Sequence, residues 1–225
     1  MDLEFVPKGL HDLGCAEMVK RIQELVERVD ESRYDGILLG YALCNNGLVG
    51  LRARTKPLIV PRAHDCITLF LGSAARYLEY FNNNLGTYFR TTGWIERGET
   101  ISGELKQLSV QRKLGMDQSY EQLLAKYGEE NAKYIWETLC DTSHNYSMFT
   151  FIEMGVEPDD SFERRTREDA AARGWKFDKV QGDMGLILRL VNGPWDEKEF
   201  LTVPPGCRVV ASYDERIIAA ERPEA

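Results

Sequence analysis

Cys44, His64 and Cys66 are the side chains whose types and spacing point most directly to chemistry. Thiolate and imidazole are donors that zinc favours, and three protein ligands with an open fourth position is the arrangement of a catalytic zinc. His64 and Cys66 flank a single residue, so in an extended segment entering a helix both point to one side. Cys66 falls in the first turn of that helix, where the helix dipole favours a thiolate with or without metal. His11, in a loop after the first predicted strand, is a candidate fourth ligand or a group that orients one. Iron–sulfur ligation stays open, since thiolates serve both metals. The competing reading is that these cysteines are small buried hydrophobes; three residues are fewer than a paired CxxC signature supplies.

Gly47 and Gly50 follow Gly40 behind a predicted strand, where glycine lets backbone amides approach phosphate. The spacing matches neither a P-loop nor a dinucleotide fingerprint, and a tight turn needing positive φ is the simpler account. Arg52, Arg54, Lys56 and Arg62 come next, with no acid between Gly36 and His64 in a chain of net charge −8. Such a patch suits a carboxylate, a phosphate or a cofactor's acidic side chains; the plain alternative is a solvated loop. Gly47, Gly50, Arg52, Arg54 and Arg62 are therefore the candidate cofactor-binding residues. Glu153, at the end of a later strand, is a candidate acid or base. His144 reads as a cap or loop residue, and Cys140 and Cys207 as core or surface thiols. No G-x-S-x-G elbow is present, which disfavours a serine hydrolase.

The elements that must position these residues alternate between strand and helix. Residues 2–6 read as a strand, and Met18, Val19, Ile22, Leu25, Val26 and Val29 recur at helical spacing. Residues 36–43 (GILLGYAL) are apolar nearly throughout, as in a parallel strand covered on both faces. Residues 57–60 form a short strand fenced by Pro57 and Pro61, helix signals run over 65–81, and 86–96 suit a strand with its exit loop. Residues 97–118 carry weak signals and 119–140 read as helix. Strands are then expected at 146–154, 175–180 and 200–203, with helices at 161–173 and 184–191. The order predicts an α/β fold: a three-layer, Rossmann-like architecture with mostly parallel sheets and two similar lobes. The lobes are expected at 1–98, carrying the Cys/His site, and 146–225, joined by a mainly helical connection at 99–145.

The 225 residues, 43% hydrophobic and 28% charged, are enough to bury a sizeable core. The acidic balance argues against a nucleic-acid backbone or an anionic membrane as partner. No apolar run approaches the ~20 residues that span a bilayer, and the first residues lack the pattern of a secretory signal. Five scattered cysteines in such a chain read as free thiols or metal ligands, which predicts a cytoplasmic location.

LGYALCNNGLVGLRA, PLIVPRAHDCITLFLGS, GTYFRTTGWIERG and FLTVPPG resemble the uncharacterised family catalogued as domain of unknown function 1638. The resemblance covers most of the chain. Its most specific parts are Gly40-Tyr41-x-x-Cys44 and Pro61-Arg62-Ala63-His64-Asp65-Cys66. Members of that family start further upstream, with a strand ending in a Cys. The resemblance thus implies that this chain begins after that strand, through a shortened N-terminus or an alternative start. Members are also encoded near corrinoid proteins, trimethylamine-methyltransferase-like proteins and corrinoid-reactivating proteins in anaerobes. A role in corrinoid-dependent one-carbon metabolism is therefore implied by association. Zinc methyltransferases that pass a methyl group from a corrinoid to a thiol use a His-x-Cys pair with a distant Cys. His64, Cys66 and Cys44 are similar in ligand type, with the distant Cys upstream; such likeness does not by itself transfer function.

The resulting expectation is a zinc-binding protein, with Cys44, His64, Cys66 and His11 as ligands, that activates a thiol for methyl transfer. The alternative is a non-catalytic accessory protein that holds a cofactor for a corrinoid methyltransferase system. Expected partners are a corrinoid protein or methyltransferase and a small anionic ligand, with neither nucleic acid nor membrane.

Overall fold

In the computed structural model of this protein, the described residues are 1–6, 8–98, 109–140 and 145–223. A short 3₁₀ turn, Lys8–Leu13, leads into α1 (Cys15–Arg28). There follow β1 (Ile37–Leu38), β2 (Leu58–Pro61), α2 (Cys66–Leu71), α3 (Ala74–Asn83), β3 (Thr87–Arg90) and α4 (Thr92–Gly98). Three short helices come next: α5 (Val110–Lys113), α6 (Tyr120–Tyr127) and α7 (Glu129–Ile135). The chain then forms β4 (Met148–Glu153), α8 (Ser161–Arg173), β5 (Lys176–Gln181), α9 (Gly185–Asn192), β6 (Phe200–Val203), β7 (Arg208–Ala211) and β8 (Ile218–Glu221).

The protein has an α/β fold. In the first sheet, β1 pairs parallel with β2, and β6 adds antiparallel on the other side of β2, with Leu58 opposite Val203 and Pro61 opposite Phe200. Strand alternation sends Leu58, Val60, Leu201 and Val203 to one face, against Met18, Ile22 and Val26 of α1 and against Val209 and Ile218 of the β7–β8 hairpin. Ile59 and Phe200 point the other way, against Leu69 of α2 and Leu186 and Leu190 of α9. Helix, sheet and helix make three layers. The second sheet, in the order β3-β4-β5, is parallel throughout. Its Phe89 and Ile152 pack against α2 and α3. On α8, Asp169 accepts a hydrogen bond from Arg90 at 2.5 Å.

Several elements differ from the sequence expectation. Residues 2–6 have no strand partner, and Phe5 is 87% exposed. The strand expected over 86–96 stops at Arg90 and turns into α4. The lobe boundaries at 98 and 146 do not separate the sheets: β3 pairs with β4, and β6 returns to β2. Local periodicity carries no information on partner choice, which depends on contacts far apart in sequence.

Helix α2 joins the two units. Leu69 enters the core under the first sheet, while Ile67 and Leu71 enter the core under the second. Asp65 caps its start by accepting from the Ile67 and Thr68 amides at 3.0 and 3.3 Å. Its end is Gly72, at φ 83°, whose amide donates to the Thr68 carbonyl. Arg189, paired with Glu199 at 2.6 Å, also donates to the Gly72 carbonyl. A Cβ on Gly72 would lie 2.6 Å from the Asp183 Cγ. Gly72→Ala therefore combines left-handed strain with a clash and is expected to cost about 1–3 kcal/mol. Urea denaturation checks this: a midpoint equal to that of the unsubstituted protein would show that the junction gives way freely.

Candidate functional site

Beyond β1 the chain stays extended beside the exit of β2. The Leu43 amide donates to the Ala63 carbonyl at 2.9 Å, and the Cys44 amide to the His64 carbonyl at 3.0 Å. The chain then turns through Asn45 and Asn46, at φ 53° and 58°. Asparagine tolerates that left-handed region better than most residues. Gly47 closes the turn, its amide donating to the Leu43 and Cys44 carbonyls, both at 2.8 Å. A Cβ there would sit 2.2 Å from the Sδ of buried Met18. Gly50, at φ 98°, donates to the Val209 carbonyl at 2.8 Å. Both loop amides are thus committed inside the protein, and these glycines serve the turn and a close approach to α1.

Cys44 and Cys66 are both half-buried, neither is in a disulfide, and each acts on the other's titration. The Cys66 S–H donates to the Cys44 sulfur, which holds the Cys44 thiol down to about 7. Burial opposes the shift, while the Cys66 backbone amide and the charge of His11 assist it. Cys66 is pushed up, first by that hydrogen bond and then by burial. The sequence reading favoured a thiolate on Cys66, at the helix start. In the structure the surroundings favour the charge on Cys44 over Cys66. The helix is six residues long, and a direct hydrogen bond to the neighbouring sulfur outweighs what its dipole offers.

Three residues that sequence reasoning passed over border the pair. Tyr41 is pushed up to about 12 by burial and by the nearby thiols of Cys44 and Cys66. Tyr77 on α3 is likewise raised to about 12, by burial and by the carboxylate of Asp65, to which its hydroxyl is hydrogen-bonded. Asp65 thus caps α2 and anchors α3 to the site. Its position before an apolar helical run is a legible cap signal. The approach of Tyr77 depends on the turn at Gly72 and has no local sequence signature. Cys15 lies on the same turn, its thiol donating to the Asn46 carbonyl at 3.2 Å.

The remaining predicted residues are placed as follows. His11 is exposed, its Nδ1 3.3 Å from Asp12 Oδ1, and its carbonyl accepts from the Asn45 side chain. His64 is exposed and meets Cys44 through its backbone carbonyl. Among the described residues, no group of three His, Cys, Asp or Glu side chains is arranged to hold a metal. The donors that come together are two thiols, short of a three-ligand zinc centre. Arg54 donates to the Glu27 carbonyl at 2.8 Å and, at longer range, to the Val26 and Val29 carbonyls, closing the end of α1. Arg62 donates to the carbonyls of Glu197, Arg216 and Ile218. Arg52 is exposed, its backbone paired with the Gln23 side chain. The run therefore supplies two structural clamps at different places in the fold. Glu153 pairs with Lys179 at 2.7 Å. Cys140 is half-buried and Cys207 buried; His144 lies outside the described residues.

Fold and site together define an α/β protein with two mutually interacting thiols where two adjacent parallel segments end. The chain belongs to the family described as protein of unknown function DUF1638, whose model matches residues 5–191. No curated protein and no solved structure matches it. No helix among the described residues is long and apolar enough to cross a membrane.

Three outcomes follow for the site. Alkylation of Cys44 by iodoacetamide should outpace that of Cys66 and fall away as pH drops through about 7, because the thiolate is the nucleophile. Cys66→Ala removes the S–H donor and should move the midpoint upward; peptide mass spectrometry across a pH series reads both. Arg62→Ala should cost roughly 2–3 kcal/mol in denaturant unfolding, since it strips partners from carbonyls, and should leave the Cys44 midpoint where it was. A shifted midpoint would tie Arg62 to the site.

Proposed function

We propose that the protein works through the Cys44–Cys66 pair as a thiol centre that takes a soft electrophile. In the corrinoid-linked one-carbon metabolism that the family resemblance implies, that electrophile is a methyl group. The single observation that carries this reading is that Cys44 is held down to about 7, with the neighbouring Cys66 thiol as the first cause. A thiolate held at neutral pH by a donor needs no separate base. In the proposed step the Cys44 sulfur attacks the methyl carbon of a methylated corrinoid on a partner protein. The S–C bond forms, and the Co–C bond breaks with its electron pair staying on the corrinoid. Cys66 and His11 stabilise the attacking thiolate, and the half-buried Tyr41 and Tyr77 wall the pair from bulk water.

A second reading keeps zinc as the electrophile, and one observation favours it: both histidines expected as ligands border the pair, His11 through its charge and His64 through its carbonyl. Cys44 and Cys66 would hold the ion, which as a Lewis acid would activate an incoming thiol. The non-catalytic alternative, an accessory protein of a methyltransferase system, differs by capturing a cofactor without turnover.

The test is anaerobic incubation of the reduced, metal-stripped protein with a methylated corrinoid protein. The corrinoid is followed by its visible spectrum, and the protein by peptide mass spectrometry. Methylation of Cys44, absent in Cys44→Ala, is the expected result. An intact methyl donor and an unmodified Cys44 would contradict the proposal. Zinc captured in the metal-replete protein, and lost in both single variants, would support the second reading in its place.

A further inference from the structure

We infer that the cavity between α3 and β5 binds a small zwitterion of the amino-acid type. This site uses neither thiol and does not depend on the proposed function.

The cavity holds about 210 Å³. That is room for roughly seven waters at ~30 Å³ each, which suits a single amino acid rather than a peptide or a nucleotide. Leu71, at the end of α2, and Val180, on β5, give it apolar walls. Its polar groups are Arg76, Glu79, Tyr80 and Asn83 of α3, with Asn84 directly after. Spacings of three and four residues put them on one face of the helix.

Three of these groups are fixed by the protein itself. Arg76 donates from Nη1 to the Leu71 carbonyl at 3.3 Å and from Nη2 to the Gln181 carbonyl. The Tyr80 hydroxyl donates to Asp178 Oδ2 at 2.6 Å and lies 2.8 Å from Oγ1 of buried Thr150. The Asn84 amide donates to the Tyr80 carbonyl at 2.9 Å, which leaves its side-chain oxygen as an acceptor. Glu79 and Asn83 stand on the solvent side.

Charge decides the class of ligand. Both partners of the half-buried Arg76 guanidinium are neutral carbonyls, and it keeps N–H groups beyond those two. Among the described residues no carboxylate pairs with it, and the Glu79 side chain, one turn away, pairs with no donor. A lone anion would be repelled by Glu79 and a lone cation by Arg76. A molecule that carries both charges satisfies both: its carboxylate takes the remaining guanidinium N–H groups, and its ammonium faces Glu79. Asn83 and Asn84 offer amide groups to a polar side chain.

The probes are the standard L-amino acids, offered singly to the full reduced chain and read by saturation-transfer NMR and calorimetry. Binding of at least one, L-glutamine foremost because its amide matches the two asparagines, is the expected result. Glutaramate, which lacks the ammonium, and γ-aminobutyramide, which lacks the carboxylate, should each bind about tenfold more weakly, the loss of one charge-assisted hydrogen bond. Glu79→Gln should weaken the amino acid by a similar factor and leave glutaramate unweakened; Arg76→Gln should weaken the amino acid and leave γ-aminobutyramide unweakened. Glu79→Gln has no side-chain partner to lose, so it carries the test even where Arg76→Gln disturbs the fold. The inference is overturned if none of the L-amino acids binds, if Glu79→Gln leaves their binding unchanged, or if the two single-charge analogues bind as tightly. None of these readouts involves Cys44 or Cys66, so failure here and failure of methyl transfer are told apart.

Discussion

Burial of α2 between the two sheets sets the position of Cys66 against Cys44. A helix of six residues has too few internal hydrogen bonds to persist alone. Its stability comes from Ile67, Leu69 and Leu71, each worth roughly 1.5–3 kcal/mol when taken from water. Since those side chains go to different cores, α2 cannot shift toward one sheet without exposing apolar surface at the other. The Asp65 cap and the Gly72 end then fix its rotation and length.

The Cys44 side is held by a different device. Its segment runs parallel to the exit of β2, and the Asn45-Asn46-Gly47 turn directs it back toward α1. The two thiols are therefore placed by two independently anchored backbones. That arrangement separates the roles of chemically identical groups. The Cys66 thiol is pushed up and the Cys44 thiol held down, each with the other as its first cause. Environment, not residue type, makes them different.

The sequence showed the chemistry-bearing cysteines but not their roles. Cys44 and Cys66 stood out because each falls where a predicted strand ends or a helix begins, and in the structure each shifts the other's titration. His64 stood out for its one-residue spacing from Cys66, yet the geometry of the extended segment turns its side chain to solvent. The Arg54 and Arg62 charges were legible, but not their destinations, because the carbonyls they reach lie as far away in sequence as Ile218. Strand partners were illegible for the same reason. Residues 200–203 read as a strand, and nothing local says that they close the first sheet beside β2. Tyr77 enters the site only through the turn between α2 and α3.

Adjacency of the two thiols is the claim on which the rest depends, and a trivalent arsenical tests it most directly, because phenylarsine oxide bridges only thiols that can meet at one arsenic. Anaerobic titration of the reduced protein should give a stable adduct that spans Cys44 and Cys66 and is lost in either Cys44→Ser or Cys66→Ser. An adduct that survives both substitutions, or no bridged adduct at all, would contradict the account.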